Sequence, residues 1–154
     1  MGFVRSKRKY YKYTYADWTQ PVLSANGTVG GDSFACRANS TYTGYDAYKA
    51  FDNSSTTFWA EANVTNSGYI EFYSPIELKV SKITIQNRHE SVNIWASGVV
   101  YGSLDGADYF EMATFTNSNA TASATWDINI TNPQPTKYIK ISTTSLLNYE
   151  HTLS

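Results

Sequence analysis

Three consecutive residues, Arg88, His89 and Glu90, place a planar cation, an imidazole and a carboxylate side by side in a polar stretch of the chain. Such groups donate and accept hydrogen bonds, which is what the neighbouring hydroxyls of a sugar require. The apolar face of a sugar ring also needs a flat aromatic partner, and either Tyr45 or Trp95 has a suitable ring. These five residues predict a carbohydrate-binding site built from loops.

A simpler interpretation of the same residues stays open. Arg88 and Glu90 also fit a solvated surface ion pair, and His89 fits an ordinary loop histidine. Two other large aromatics, Trp59 and Trp126, are predicted to be core residues.

No catalytic arrangement is evident in the sequence. Hydrolysis of a glycoside uses two carboxylates about 5 to 10 Å apart, and the spacing of Asp46, Glu61, Glu90 and Asp108 selects no pair. One cysteine and two histidines are too few for a zinc cluster. The chain is therefore predicted not to be an enzyme.

A second polar stretch, residues 52–57, lies between two apolar pairs, Ala50-Phe51 and Phe58-Trp59. A loop of oxygen ligands that aromatic residues hold at both ends is what a structural Ca²⁺ site needs. The other interpretation is a polar surface turn between core aromatics. Residue types and spacing leave both open.

Four stretches, in this order along the chain, carry a resemblance to a known family. They are KAFDNSSTTFW (49–59), YIEFYSPIELKVSKITIQNR (69–88), SLDGADYF (103–110) and KYIKIS (137–142). Residues 33–144 thereby resemble the discoidin or coagulation-factor type C domains and their relatives, the family-32 carbohydrate-binding modules. The resemblance implies a discoidin-like jelly-roll β-sandwich of the galactose-binding-domain-like type.

The resemblance also implies ligands for a structural Ca²⁺. Carried over position by position, they are a backbone carbonyl of Lys49 or Ala50, the Asp52 carboxylate, Ser54 and Thr57.

This sequence departs from the family pattern at three of the positions that concern the metal. Asn53 stands where the family usually has Gly, and Ser54 where it often has Asp or Asn. Only Glu150 is available for the family's late Glu ligand. Because Ca²⁺ affinity rises with the charge of the ligands, one certain carboxylate predicts weak binding.

Composition and patterning place these residues on strands and turns. Aromatic residues make up 16% of the 154 residues and include thirteen tyrosines, while charged residues make up only 16%. Short alternating runs are predicted to be strands at 69–73, 76–86, 96–102, 109–116, 124–130 and 138–141, after two short strands within 21–38. Many short strands separated by turn residues indicate an all-β antiparallel sandwich over residues 19–154.

Residues 1–18, here called the leader, are basic and aromatic. The first thirteen residues hold five of the twelve basic residues, which leaves seven basic against thirteen acidic residues in the rest. The preferred interpretation is an anchor to a larger assembly. An extra strand of the domain, a nucleic-acid contact and N-myristoylation of the MGFVRS start stay open as alternatives, of which nucleic acid has only one short stretch in its favour.

The sequence as a whole favours a non-catalytic module for carbohydrate binding or adhesion. The leader, the Asn/Thr-rich body and a start without an apolar secretory signal favour a phage virion protein, such as a tail or head-fibre decoration, that acts outside the cell on host-surface glycans. Because single sugars bind weakly, a homo-oligomer or multicopy display is expected. The alternative is a structural virion protein that uses the sandwich for protein contacts; membrane binding is disfavoured, because the loops are polar and acidic.

Overall fold

The computed structural model describes residues 20–62 and 67–148. The leader and Glu150 lie outside the described residues, and so do the predictions made for them. Within the described part every strand pair is antiparallel. The elements are β1 (Ala35–Ala38), a 3₁₀ helix (Ala47–Ala50), β2 (Tyr69–Leu78), β3 (Lys82–Gln86), β4 (Ile94–Ser103), β5 (Phe110–Thr116), β6 (Thr125–Asn129) and β7 (Thr136–Leu147).

The strands of the described residues form two sheets that share one core. The larger sheet has the order β1-β2-β7-β4-β5, and the smaller one pairs β3 with β6. Alternation along each strand sends one set of side chains inward. Buried residues from both sheets meet there, among them Phe72, Val100, Met112, Ile128 and Ile141. The predicted all-β sandwich is confirmed.

The predicted strand 76–86 is divided between the two sheets. Residues up to Leu78 continue β2, whereas β3 begins at Lys82 and pairs with β6. The register of β2 against β7 shifts between Tyr73 and Leu78, where Pro75 has no N–H to donate. Within this irregular segment the Ser74 hydroxyl donates a hydrogen bond to the Ile76 carbonyl at 2.7 Å. The break in alternation near Ser81 marks the passage from one sheet to the other.

The predicted Asp105-Gly106 turn connects β4 to β5. Gly106 has a φ of 77°, in the region that favours glycine, and its N–H donates to the Ser103 hydroxyl at 2.9 Å. The Asp105 carboxylate accepts the N–H groups of Ala107 and Asp108, and these hydrogen bonds lower the pKa of Asp105. The S-x-D-G stretch is thus a turn that closes itself.

A row of four charged residues and one tyrosine, here called the outer row, crosses the outer face of the larger sheet. Cross-strand neighbours in this row are, from β1 to β5, Arg37, Glu71, Lys140, Tyr101 and Glu111. Glu71 is fully buried. Its carboxylate accepts a hydrogen bond from Arg37 Nε at 2.6 Å and another from the Tyr109 hydroxyl. A buried carboxylate needs such partners, so the row holds the sheet's polar face together.

The 3₁₀ helix anchors the polar loop that follows it to the core. Ala47 is buried within the core cluster, and Phe51 packs against Phe72 with ring centroids 5.5 Å apart. The Phe51 carbonyl accepts the N–H of Leu23 at 2.9 Å. Both ends of the 47–51 stretch are therefore held, and the residues after it start from a defined position.

Candidate functional site

Four rings from three separate loops form a continuous aromatic row at one end of the sandwich. Tyr42 and Tyr45 have ring centroids 5.9 Å apart, Tyr45 and Phe58 are 4.8 Å apart, and Phe58 and His89 are 5.2 Å apart. The third loop is the one that leads from β3 to β4. Since 37% of the Tyr42 surface is exposed, the row reaches solvent.

A cavity of about 230 Å³, here called the aromatic cleft, opens beside this row. Hydroxyls, one ammonium group and one imidazole accompany the rings, so the cleft combines a flat apolar surface with groups that form hydrogen bonds. Such a combination fits a small polyhydroxylated ring. The cleft is lined by Gly44, Tyr45, Lys49, Thr56, Thr57, Phe58 and His89.

Lys49 contributes its side chain to the aromatic cleft. Its Nζ donates to the Gly44 carbonyl and lies 5.9 Å from the centroid of the Tyr45 ring. The lysine is in the last turn of the 3₁₀ helix, which turns its side chain toward the neighbouring Tyr-bearing loop. The resemblance had implied only a backbone carbonyl as the functional group of Lys49.

Arg88 covers the Phe58 ring within the row. Its guanidinium carbon lies 4.3 Å from the centroid of the Phe58 ring, within the range of a cation–π contact. The guanidinium also pairs with Glu90, whose carboxylate lies 4.0 Å from His89 Nε2. Arg88 Nε is buried and has no hydrogen-bond partner in the described part of the chain. A buried donor without a partner costs free energy, which makes this arginine a candidate for binding a ligand oxygen.

The predicted carbohydrate residues fall into two groups. Tyr45, Arg88 and His89 lie along the aromatic row, and Glu90 touches it through Arg88. Trp95 lies elsewhere, because its ring packs against Trp59 at 6.0 Å and Phe115 at 6.3 Å. The indole is thus part of the partly buried layer around the core.

Tyr42 and Phe58 are the two residues of the row that were not predicted to bind sugar; the apolar ring of Phe58 suggested a place in the interior. Phe58 is adjacent to Trp59, whose indole N–H donates to the Ser40 carbonyl at 3.0 Å. Neighbouring side chains in an extended stretch point to opposite sides, so two consecutive aromatics cannot both enter one core. That alternation was the signal available in the sequence.

A larger apolar gap, of about 810 Å³, lies between the two sheets. Three indoles line it, those of Trp59, Trp95 and Trp126. Trp126 and Trp59 pack against the core, as predicted, and Trp126 Nε1 donates to the Asn87 side chain at 2.9 Å. Charged residues also line the gap, among them Asp52 and Arg88, and it shares Lys49, Thr57 and Phe58 with the aromatic cleft.

The loop proposed for Ca²⁺ is closed by its own hydrogen bonds. Asp52 Oδ1 accepts the Ser54 N–H at 3.0 Å, and Oδ2 accepts the Thr57 hydroxyl at 2.7 Å. Between them Asn53 has a φ of 55°, a left-handed conformation that Gly and Asn adopt most readily. The departure from Gly at this position therefore preserves the turn.

The donor set of this loop fits Ca²⁺ in chemical type. Asp52, Ser54 and Thr57 offer only oxygen atoms, which is what the ion prefers. Among the residues that the structure describes, no three of the His, Cys, Asp and Glu side chains come together as a metal cluster. One carboxylate with neutral oxygens would hold the ion weakly and would tie the two ends of the loop together.

Two of the carboxylates considered for catalysis, those of Glu90 and Asp108, lie far apart. Glu90 precedes β4 and Asp108 follows it, so a ten-residue strand, roughly 30 Å long, separates them. Glu61 is buried and accepts a hydrogen bond from the Asn39 side chain at 2.6 Å.

No helix of the described residues is long and apolar enough to cross a membrane.

Solved structures with the same fold include carbohydrate-binding modules. The family 32 module of NanJ from Clostridium perfringens, in complex with galactose, matches with a TM-score of 0.63 at 18% identity and covers 74% of this chain and 84% of its own. A second Clostridium perfringens module, in complex with GalNAc-β-1,3-galactose, matches with a TM-score of 0.64 at 14% identity over 74% and 86%. At these identities the likeness concerns the fold.

A third match is chitosan-binding module 1 of a chitosanase/glucanase from Paenibacillus sp. IK-5. Its TM-score is 0.59 at 23% identity, over 80% of this chain and 86% of that one. None of the curated proteins compared with the chain matches it. The model of the F5/8 type C domain matches residues 35–153. Since that match spans most of the chain and agrees with the sandwich and its loops, the chain belongs to the F5/8 type C domain family.

Proposed function

We propose that this protein is a non-catalytic module that binds carbohydrate through the aromatic cleft. The observation that carries the proposal is the row of Tyr45, Phe58 and His89 beside a small cavity, with the cation of Lys49 near Tyr45 and that of Arg88 over Phe58. A sugar ring would stack on Tyr45, while the imidazole, the ammonium and the threonine hydroxyls bind its hydroxyl groups.

The structural neighbours support this assignment. Two of them were solved with galactose or GalNAc-β-1,3-galactose bound. The separation of Glu90 from Asp108 supports a binding function without hydrolysis, because a glycosidase holds its two carboxylates within about 10 Å of each other.

Binding to a galactoside would test the proposal directly. We expect the full chain to bind galactose or a galactose-terminated glycan weakly, with shifts of the Tyr45 and His89 resonances in NMR titrations and signals on a glycan array. Tyr45→Ala and Phe58→Ala should each weaken binding at least tenfold, because stacking on the ring is lost. The matched control is Tyr101→Ala, which removes a half-buried tyrosine from the outer face of the larger sheet.

Equal binding by the Tyr45→Ala, Phe58→Ala and Tyr101→Ala variants would place the sugar outside the aromatic cleft. Absence of binding to every glycan would contradict the proposed function. If the protein nevertheless stays attached to particles in that case, a structural role for the sandwich replaces it.

The place of action belongs to the same proposal. A basic, aromatic leader ahead of an acidic body suits attachment to a larger shell, and many copies on one particle would raise weak single-site affinity by avidity. The partners are then a host-surface glycan and a virion, the location is the virion surface outside the cell, and the leader is the anchor. A structural Ca²⁺ in the Asp52 loop would stiffen the loop that carries Phe58.

A further inference from the structure

The aromatic cleft has an unbalanced positive charge. Among its lining residues Lys49 and His89 are basic, and none is acidic. Lys49 forms no ion pair with any residue that the structure describes; its ammonium donates to a neutral carbonyl, that of Gly44.

None of the described acidic groups near Lys49 in the chain forms an ion pair with it. Glu90 pairs with Arg88, and its carboxylate offsets that guanidinium's charge. Both oxygens of Asp52 accept hydrogen bonds from within their own loop. Asp46 precedes the 3₁₀ helix and does not line the cleft. The charge on Lys49 is therefore left for a ligand.

Geometry places this charge where a substituent of a stacked sugar would lie. The Lys49 Nζ is 5.9 Å from the Tyr45 centroid, and a ring stacked on Tyr45 would be held in van der Waals contact at about 4 Å from the aromatic plane. The lysine stem is flexible, so its ammonium can follow a group at the edge of the sugar. Thr56 brings a hydroxyl that can donate to an anion's oxygen, whereas the Thr57 hydroxyl already donates to Asp52.

We propose that the aromatic cleft selects saccharides that carry an anionic substituent, a carboxylate or a phosphate, and that Lys49 is the residue that binds this substituent. The inference rests on the proposed function and narrows its ligand class. A hydrogen bond between an ammonium and an anion is stronger than one to a neutral hydroxyl, so the anion should gain about tenfold in affinity.

Matched pairs of ligands test the proposal on the full chain. Isothermal titration and NMR would compare galactose with galacturonate and with galactose 6-phosphate. Acetate and inorganic phosphate serve as anions without a ring. At low ionic strength we expect at least one charged sugar to bind about tenfold more tightly than galactose. That preference should shrink at high salt, because the exposed pair is screened. The more tightly bound of the two charged sugars identifies the substituent.

The variant Lys49→Gln should remove the preference, so that its affinities for galactose and for the charged sugars become equal. Lys79→Gln is the matched control. It makes the same charge change at an exposed position before β3, and this position is not among the residues that line the aromatic cleft. Preference for the charged sugars should survive in this control.

Three outcomes overturn the inference. Equal affinities for galactose and both charged sugars would overturn the inference and leave the proposed function intact. A preference for the charged sugars that survives Lys49→Gln would have the same consequence. Binding of acetate or inorganic phosphate as tightly as the charged sugars would show a simple anion site. No binding of any saccharide would overturn the proposed function itself.

Discussion

At Asn53 a turn of the family is preserved although its usual Gly is replaced by Asn. Its φ of 55° lies in the left-handed region, where most side chains lose about 1–2 kcal/mol. Asn tolerates this conformation better than other non-glycine residues, so the turn between Asp52 and Ser54 forms without Gly. The Asp52 carboxylate then closes the loop through Ser54 and Thr57. At this scale, side-chain oxygens and one unusual φ determine the position of Phe58.

The same residues predict a modest response to Ca²⁺. If the Asp52 loop holds the ion with a Kd of about 1 mM, then about 10 mM Ca²⁺ should stabilise the fold by about 1.4 kcal/mol. Thermal unfolding would show this as a rise in Tm of about 3–5 °C. Asp52→Asn should abolish the rise, whereas Asp127→Asn, an exposed aspartate on β6, should keep it.

A Tm that does not respond to Ca²⁺ in the unmodified protein would count against the metal. In that case the hydrogen bonds of the loop suffice to close it. A rise that persists in Asp52→Asn would move the ion to another place.

At the scale of the elements, the outer row of the larger sheet buries a charged side chain, and such burial costs free energy unless the charge has partners. Glu71 on β2 is fully buried, and its partners come from β1 and from the residue before β5. Strand order places Arg37 beside Glu71, because β1 neighbours β2, whereas Tyr109 comes from the turn before β5, which is not a neighbour of β2. Lys140 of β7 completes the arrangement with its ammonium 3.6 Å from the Tyr109 centroid. The row thus links strands that are distant in the chain.

Tyr109 makes this row sensitive to alkaline pH. Burial, followed by the hydrogen bond to Glu71 and its negative charge, raises the pKa of Tyr109, against a smaller opposing effect of Arg37. In the unfolded chain the phenol ionises near pH 10, while in the fold it stays protonated. The folded state then binds more protons, so stability is complete below about pH 10 and falls as pH rises above it.

Tyr109→Phe separates the two contributions of the phenol. At neutral pH we expect a loss of about 1–2 kcal/mol in the free energy of unfolding, because Glu71 loses one donor. Above about pH 10, urea unfolding should show a shallower decline of stability in the variant than in the unmodified protein. Parallel declines with pH would mean that Tyr109 does not contribute to the alkaline loss.

At the scale of the whole molecule, the sandwich separates the end that bears the aromatic cleft from the rest of its surface. The 42–46, 54–58 and 88–90 stretches meet at one end, while the turn between β4 and β5 lies at the opposite end of β4. A module of this shape can present one end to a glycan while another part is attached to a particle. Weak sites at one end of many copies gain most from a common support.

Removal of the leader tests this division of roles. We expect a chain without residues 1–18 to keep its Tm and its glycan binding but to be lost from particles on sedimentation. A chain in which Gln replaces the basic residues of the leader would show whether charge or aromatic surface makes the attachment; these residues are Arg5, Lys7, Arg8, Lys9 and Lys12. A clear fall in Tm on deletion would instead assign the leader to the domain's own sheet.

Local pattern was enough to predict the class of the fold and part of the site. The alternation of apolar residues such as Ile70 and Phe72 predicts a strand with one buried face, whatever the position of the strand in a sheet. The polar stretch that carries Arg88 and His89 is likewise visible in the chain as it stands. The division of 76–86 between two sheets was not predicted, because alternation does not reveal which strand will be the partner.

Sequence by itself determined that this is an all-β domain with polar, aromatic-bearing loops, since strand periodicity and turn chemistry act between neighbours in the chain. Only the tertiary structure decided that Phe58 stands between Tyr45 and His89, that Lys49 turns its ammonium into the same cleft, and that Trp95 packs beside the core. These contacts join loops that are far apart in the chain. Which loops meet depends on strand order and on the packing of the two sheets, and neither is encoded in any single stretch.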